Sequence, residues 1–267
     1  MTTEFSSAAE QAPAPRGRNI VTVASGKGGV GKTWLSVTLT HAIAAQKRSA
    51  LLFDGDLGLA NVDIQLGLMP KHDLGHVVAG RIDLKSAITR YPEGKFDILA
   101  GKSGSGALAL LSGPRVAELR EDLLDVADQY DKVIVDLGAG VESGVRALVG
   151  NNGTILVVTN EEPTAITDAY AFIKVTAMKH PGADLRIVVN QVSGSQDGNR
   201  TYGALKKACE SFLKISPPLA GMIRRVLCPI PVVSRMSIMS PVPNNRHSPF
   251  PSSISICPSS TRMIRRR

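Results

Sequence analysis

The sequence predicts a single α/β domain in which a mostly parallel, twisted sheet carries helices on both faces. Short, largely apolar runs such as Ile20–Ala24 and Thr154–Thr159 alternate with longer segments of helical spacing. Strands without a polar face are typical of parallel sheets that helices cover on both sides. The 267 residues, 43% hydrophobic and 20% charged, suffice for one such domain with a buried core.

The predicted elements follow one another along the chain with few interruptions. Strands are predicted at 20–24, 50–54, 96–99, 132–136, 154–159 and 185–190. Helices are predicted at 33–46, 114–130, 163–178 and about 200–213, because apolar residues recur there at helical spacing. Pro114 and Pro163 stand in the first turn of their helices, where proline is favoured. Ligands of parallel sheets collect at the carboxyl ends of the strands, so we expect polar residues there to form the site.

Two segments fall outside the predicted domain, which spans residues 19–225. Residues 1–18, with Pro13, Pro15 and Gly17, are predicted to form a flexible leader. Residues 226–267 contain seven Pro, nine Ser and no acidic residue, without helical or alternating periodicity. They are either a native disordered tail or the product of a reading-frame shift near Val226. We favour the frame shift, because α/β domains seldom end abruptly in an acid-free segment.

The net charge of +8 comes largely from that last segment. Its six Arg leave 25 basic and 23 acidic residues before Val226, so the predicted domain is nearly neutral and nucleic-acid binding is not expected. Apolar runs are too short for a membrane span or a signal peptide, which favours a cytoplasmic location. The cysteines, Cys209, Cys228 and Cys257, show no paired spacing, so neither disulfides nor a cysteine metal site is expected.

A phosphate-binding loop is predicted between the first strand and the first helix. The pattern G-x-x-x-x-G-K-[ST] is matched by Gly26, Lys27, Gly28, Gly29, Val30, Gly31, Lys32 and Thr33. Glycines let backbone amides approach phosphate oxygens, and the positive end of the helix dipole faces the same anion. In such a P-loop Lys32 reaches the β- and γ-phosphates, and the Thr33 hydroxyl ligates Mg²⁺. A glycine-rich turn without a ligand is the alternative, but the strand–loop–helix context argues against it.

Polar residues follow three of the predicted strands. Asp54 and Asp56 come after the second strand, where both can face a metal ion or a water molecule. Asp136 closes the apolar run Val133–Val135, and Asn190 ends a later strand. Asp, Asn and Gly also favour turns and caps. The residue types alone therefore leave a structural role open for each of these positions.

The P-loop resembles the deviant Walker A motif of the MinD/ParA group of ATPases, because a second lysine, Lys27, lies inside it. In that group the extra lysine crosses a dimer interface to the phosphates of the partner subunit. The resemblance covers about residues 19–225 and implies a P-loop NTPase fold, ATP and Mg²⁺ as ligands, and an ATP-dependent homodimer. Lys27 and Lys32 would then both offset the charge that grows on phosphate oxygens during hydrolysis.

The resemblance assigns catalytic and binding roles to the segment after the second strand, which looks like switch I. Asp56 matches the residue that positions the attacking water. Asp54 matches an acid near Mg²⁺, and Asn61 lies in the matching asparagine position of the nucleotide site.

Further roles follow by resemblance for two later strand ends. Asp136 matches the Walker B acid that holds Mg²⁺ through water, and Gly138 lies close to the γ-phosphate. Asn190 matches the position that contacts adenine, and its amide can pair with the base edge through a donor and an acceptor. A turn asparagine is the alternative for Asn190.

Residues 56–68 and 136–140 look most like the flagellar-number regulators of this group, the FlhG or FleN branch. That branch controls flagellar number and placement through ATP-dependent dimerisation. The resemblance therefore implies a slow regulatory ATPase with a protein partner in flagellar assembly. It also implies a peripheral contact with the inner face of the cell membrane, although the sequence shows no amphipathic membrane-targeting helix.

Other members of the group provide the competing hypotheses. A ParA-type DNA- or cargo-segregation ATPase would need a basic dimer surface, which the nearly neutral domain disfavours. A MinD-type ATPase that positions the cell-division site is a further alternative. A redox carrier like the nitrogenase iron protein needs cysteines near the switch regions, and no cysteine precedes Cys209.

Overall fold

A computed structural model describes residues 16–56, 62–101, 113–139 and 153–225, together with the backbone of 238–239. The described strands are β1 (Ile20–Ser25), β2 (Ala50–Gly55), β3 (Ile88–Tyr91), β4 (Phe96–Leu99), β5 (Lys132–Ala139), β6 (Thr154–Thr159), β7 (Asp184–Val192), β8 (Leu219–Arg224) and β9 (Ile238–Met239). The described helices are α1 (Lys32–Ala45), α2 (Val62–Leu66), α3 (Leu74–Val78), α4 (Gly113–Ala127), α5 (Pro163–Lys179) and α6 (Ser195–Ala208). There is also a 3-10 turn at Lys85–Ala87 and a π-helical turn at Cys209–Leu213.

The described strands form one sheet in the order β3-β4-β2-β5-β1-β6-β7-β8-β9. All neighbours from β4 to β8 are parallel, and only the edge strands β3 and β9 pair antiparallel in the described part of the chain. This confirms the predicted mostly parallel sheet. Because β1 lies between β5 and β6, the loop that follows it is flanked by the carboxyl ends of both neighbours.

Alternate residues of the strands enter two apolar layers, one on each face of the sheet. Val21 and Val23 of β1 pack in the layer that α1 covers, whereas Ile20 and Ala24 pack in the layer of α4, α5 and α6. The helices bury apolar side chains in these layers, among them Leu35, Leu39, Leu119, Leu123, Phe172, Ile173 and Leu205. Helices therefore cover both faces, as predicted. Among the described helices none has the length and apolar character required to cross a membrane.

One helix boundary differs clearly from the prediction. The helix expected from about residue 200 begins at Ser195 and contains Gly198 in its first turns. A Cβ atom at Gly198 would lie 2.5 Å from the Sδ of Met222 in β8. The glycine therefore permits close packing of α6 on the sheet and does not mark a break in the helix. The edge strand β3 and the short helices α2 and α3 were not predicted.

The described ends of the chain contact the sheet and one of its helices. Arg16, inside the predicted leader, forms ion pairs with Glu121 and Asp125 of α4 and with Asp128, which follows the helix directly. In the predicted tail, the two residues of β9 pair with β8 at the sheet edge. The predicted boundaries after residues 18 and 225 stay predictions.

Candidate nucleotide-binding site

The predicted phosphate-binding residues form the connection between β1 and α1. Gly29 and Gly31 have φ values of 78° and 93°, a left-handed conformation that glycine adopts without steric cost. Gly31 is also the N-cap residue of α1, and it has no side chain to bond the free amides of the first turn. The positive end of α1 is thus left open to an anion.

Gly26 lies against the backbone of α5 at the start of this loop. A Cβ atom there would be 2.0 Å from the carbonyl oxygen of Asp168, which is too close for any other residue type. Among the residues that the structure describes, a Cβ atom at Gly28 would meet the Cβ of Ala139 alone, at 4.0 Å. The loop therefore contacts α5 closely through Gly26, and no described residue crowds Gly28.

Lys32 is 7% exposed and lies in the field of two carboxylates. Burial lowers the pKa of its ammonium group, and the charges of Asp136 and Asp56 partly offset this effect. The negative charges of the carboxylates stabilise the buried ammonium group while no ligand is bound. Phosphate oxygens can take over this role when an anion binds. The structure thus places Lys32, Asp56 and Asp136 near one another.

Asp54 and Asp136 lie side by side on the neighbouring strands β2 and β5. Burial, together with the charge of Asp136, raises the pKa of Asp54 to about 7. Burial also raises the pKa of Asp136 to about 6, against the opposing effect of hydrogen bonds from Thr33 and Ser36 and of the Lys32 charge. Two buried acids at paired positions of neighbouring strands favour a shared proton or a bound cation.

The oxygen atoms of the Thr33, Asp54 and Asp136 side chains are suitable ligands for Mg²⁺. Within the described residues the Oδ2 of Asp136 is buried without a hydrogen-bond partner, and the Oδ1 accepts a bond of 3.1 Å from the Ser36 hydroxyl. No group of three or more His, Cys, Asp or Glu side chains suited to a metal occurs in the described ranges. Mg²⁺ is typically held by one or two carboxylates together with phosphates and water. Thr33, Asp54 and Asp136 match that arrangement.

Asp54 also organises the start of the predicted switch I segment. Its Oδ1 accepts a hydrogen bond of 3.1 Å from the amide of Asp56, and its Oδ2 one of 3.2 Å from the amide of Val62. A Cβ atom at Gly138 would be 3.1 Å from the Oδ1 of Asp56, so this acid lies against the end of β5. Asn61, the other predicted residue of this segment, lies outside the described residues.

The second P-loop lysine has partners of its own. The Nζ of Lys27 donates hydrogen bonds to the carboxylate of Glu162 and, at 2.7 Å, to the hydroxyl of Thr164. The Lys27 side chain is 34% exposed. Its hydrogen bond and charge lower the pKa of Glu162. Lys27 therefore lies at the surface, bonded to the start of α5, whereas Lys32 is buried.

Asn190 reaches the P-loop from the end of β7. Its Nδ2 donates a hydrogen bond of 2.7 Å to the carbonyl oxygen of Val30, and its Oδ1 accepts one of 2.9 Å from the amide of Gln191. The side chain is buried, with 3% of the residue exposed. Contact of Asn190 with adenine stays a prediction.

Residues 21–228 match the family described as the CobQ/CobB/MinD/ParA nucleotide binding domain. The chain belongs to this family. Membership confirms the P-loop NTPase fold and the resemblance to the MinD/ParA group. It makes the protein an ATPase that uses ATP and Mg²⁺.

Two curated relatives of this ATPase are similar over most of the described domain. Antiactivator FleN of Pseudomonas aeruginosa is 38% identical over 204 residues, which are 76% of this chain and 72% of the relative. Flagellum site-determining protein YlxH of Helicobacter pylori is 31% identical over 191 residues, 72% of this chain and 64% of the relative. The resemblance to the flagellar-regulator branch is thereby confirmed.

A solved structure of the septum site-determining protein MinD from Pyrococcus horikoshii, complexed with Mg-ADP, superimposes with a TM-score of 0.64. It is 25% identical and covers 78% of this chain and 82% of its own length. The MinD structure from Pyrococcus furiosus is similar, with a TM-score of 0.63, 26% identity and coverage of 79% and 84%.

Three polar residues of this MinD/ParA-family site were not predicted. Ser36 lies one helical turn after Lys32, on the side of α1 that meets Asp136. Glu162 and Thr164 follow β6. The rule that ligands meet at the carboxyl ends of strands, applied to β6, would have indicated these last two. For Ser36 the signal was weaker, because a single serine beside an apolar helix face is common.

Proposed function

We propose that this chain is an ATP-dependent switch that dimerises on ATP, hydrolyses it slowly, and regulates the number, placement or assembly of flagella. The flagellar assignment is supported by the similarity to FleN, named an antiactivator, and to YlxH, named a flagellum site-determining protein. By the same similarity, the partner of this chain is a protein of the flagellar assembly machinery or an activator that controls it. The chain acts in the cytoplasm, with a peripheral contact at the inner face of the cell membrane.

The observation that carries the switch hypothesis is the placement of the two P-loop lysines. Lys32 is buried beside Asp136 and Asp56, where it can bind the phosphates of the same subunit. Lys27 is partly exposed and bonded at the surface to Glu162 and Thr164. A flexible ammonium group at the surface can extend to the nucleotide of a facing subunit. One lysine then serves its own subunit and the other serves the partner.

Hydrolysis would use the acids at the ends of β2 and β5. The Asp56 carboxylate positions the attacking water, and its contact with Gly138 brings it to the segment that faces the γ-phosphate. Thr33, Asp54 and Asp136 would hold Mg²⁺, which neutralises charge on the β- and γ-phosphates when bound. Lys27 and Lys32 stabilise the charge that develops on the phosphate oxygens.

A MinD-type role in placing the cell-division site is the second candidate function. It is supported by the septum site-determining protein MinD of Bacillus subtilis, which is 30% identical over 174 residues, 64% of each chain. The solved MinD structures add fold similarity. A DNA-segregation role is disfavoured, because the residues before Val226 are nearly balanced in charge.

Deletion of the gene in the source bacterium separates these functions. Electron microscopy should show a changed number or position of flagella per cell, while septum placement stays normal. Wild-type protein should restore the flagella, and a Lys32→Ala variant, which cannot grip the phosphates, should not. Minicells with normal flagella would instead establish the division-site role. Size-exclusion chromatography with ADP and with a slowly hydrolysed ATP analogue tests the switch directly, since only the analogue should produce a dimer.

A further inference from the structure

We propose that Asn190 is a positioning residue that holds the P-loop in its phosphate-binding conformation. The structural basis is the hydrogen bond from its Nδ2 to the carbonyl oxygen of Val30, the residue before Gly31. This contact joins two segments 160 residues apart in the chain. The proposal concerns the shape of the loop and is separate from the predicted contact of Asn190 with the base.

The orientation of the Asn190 amide is fixed by its second hydrogen bond. The Oδ1 accepts from the backbone amide of Gln191 at 2.9 Å, so the Nδ2 is the group that faces Val30. A flipped amide would place an oxygen against the Val30 carbonyl and a donor against the Gln191 amide. Because the side chain is buried, water cannot replace either bond at low cost.

The backbone of β7 is irregular around Asn190, and this irregularity affects the direction of its side chain. In the register with β8, Val189 pairs with Met222 and Val192 with Arg224, so two residues of β7 face one residue of β8. Such a bulge redirects a side chain and is frequent beside functional sites. Gln191, inside the bulge, has a φ of 58°, an uncommon conformation for a residue other than glycine.

A second contact joins Asn190 to the loop through Gly31. A Cβ atom at Gly31 would lie 2.3 Å from the Nδ2 of Asn190, so the amide occupies the space that any other side chain would need. Gly31 is the N-cap of α1 and has a left-handed backbone. Asn190 thus packs against the residue that directs the loop into the helix, and bonds the residue before it.

The consequence for binding is independent of the base. A loop held in its bound conformation binds phosphates without first losing conformational freedom, whereas a loose loop binds with an affinity reduced by its competent fraction. Loss of the bond should therefore weaken the binding of inorganic tripolyphosphate as well as that of ATP. Loss of a base contact alone would weaken ATP and leave tripolyphosphate unchanged.

The experiment measures the affinity of the full chain for Mg-ATP and for Mg-tripolyphosphate by calorimetry. In the Asn190→Ala variant both affinities should fall about tenfold, the size expected for one buried hydrogen bond. Asn190→Leu, which keeps most of the volume, should behave in the same way. The Asn19→Ala variant is the matched control, because the Nδ2 of Asn19 also donates to backbone carbonyl oxygens, those of Ala127 and Tyr130, but lies at the end of β1 opposite the P-loop, and it should bind both ligands as the wild type does.

Hydrogen exchange provides the readout for the loop itself. Amides of residues 26–35 should exchange faster in nucleotide-free Asn190→Ala than in the wild type or in Asn19→Ala. Weakening of ATP alone, or unchanged affinities for both ligands in folded variants, would overturn the proposal. Thermal unfolding without ligand identifies which variants are folded. If Asn190→Ala does not fold, Asn190→Leu provides the test.

Discussion

Lys27 in the P-loop forms an ion pair with Glu162, which lies 135 residues later at the start of α5. The same ammonium group donates a hydrogen bond to Thr164. If Lys27 binds the phosphates of a facing subunit, it must first leave these partners. Exposed ion pairs of this kind contribute little to stability, so phosphate charge can displace the pair readily. The contact is therefore suited to hold Lys27 in the monomer without preventing the proposed dimer.

Substitution of Lys27 tests its role between subunits. Lys27→Ala should retain nucleotide binding by the monomer, because Lys32 and the loop amides are intact. The ATP-dependent dimer should weaken at least about tenfold, since two cross-subunit phosphate contacts are lost. Analytical ultracentrifugation with a slowly hydrolysed ATP analogue measures this effect. A dimer of unchanged affinity would show that Lys27 does not act across the interface.

Removal of the carboxylate that holds Lys27 should act in the opposite direction. Glu162→Gln should strengthen the ATP-dependent dimer by about two- to fivefold. In this variant Lys27 no longer has to break its ion pair with residue 162 before it binds the phosphates of the facing subunit. Glu161→Gln is the matched control, since Glu161 bonds the amide and hydroxyl of Ser193 and does not bond Lys27. The same ultracentrifugation series compares the three proteins. Equal or weaker dimerisation of Glu162→Gln would instead mean that Glu162 supports the dimer.

Asp56 is expected to act in hydrolysis and not in binding. Asp56→Ala should bind ATP and form the dimer but lose about 100-fold in turnover, a typical effect of removing a group that handles the attacking water. Asp63→Ala provides the control, because Asp63 lies on α2 and accepts a bond from its neighbour Ile64. Single-turnover phosphate release by the preformed dimer is the measurement. Wild-type turnover of Asp56→Ala would exclude the water-positioning role.

The central strands could be predicted from the sequence because they are buried on both faces. Each is therefore a continuous apolar run that is visible in the sequence. Val133, Ile134 and Val135 are fully buried, so their pattern depends little on neighbours that are distant in the chain. The edge strand β3 is different, because its residues are half-buried or exposed and it is defined mainly by its antiparallel pairing with β4. The Pro92–Lys95 turn between these strands was the available local signal.

The site also has some features that local sequence determines and others that depend on contacts between distant segments. The phosphate loop and Asp136 could be predicted, because local sequence fixes a strand, a loop and a helix in succession. The bond between Asn190 and Val30 and that between Lys27 and Glu162 join segments 160 and 135 residues apart. Their existence depends on the order of β1, β6 and β7 in the sheet. No pattern within one segment contains that order.

The nucleotide-free protein should become more stable as the pH falls from about 8 to about 6. The pKa of Asp54 is raised to about 7 and that of Asp136 to about 6, so the folded state binds protons that the unfolded state releases. A group with a raised carboxyl pKa contributes most below its unfolded value and loses this contribution as pH rises through its folded value. The expected gain is about 1–2 kcal/mol over this interval.

Asp54→Asn should remove most of this pH dependence. Urea unfolding of both proteins at each pH measures the free energies, and their difference cancels the opposite effect of His41, whose pKa burial lowers. Saturating Mg-ADP should also reduce the dependence in the wild type, because the cation takes the place of the protons. A wild-type profile that matches that of Asp54→Asn would contradict the assignment of the titrating group.

Gly26 and Gly28 offer a paired test of how the P-loop is seated on α5. A methyl group at Gly26 would overlap the carbonyl oxygen of Asp168, which is backbone and cannot rotate away. Gly26→Ala should therefore lower the free energy of unfolding of the nucleotide-free protein by about 2–3 kcal/mol, as overpacking of a rigid contact does. Gly28→Ala should change it by less than about 1 kcal/mol, because a Cβ atom there would come no nearer than 4.0 Å to any described residue. Urea unfolding compares the two variants, and equal losses at both positions would mean that α5 does not set the position of the loop.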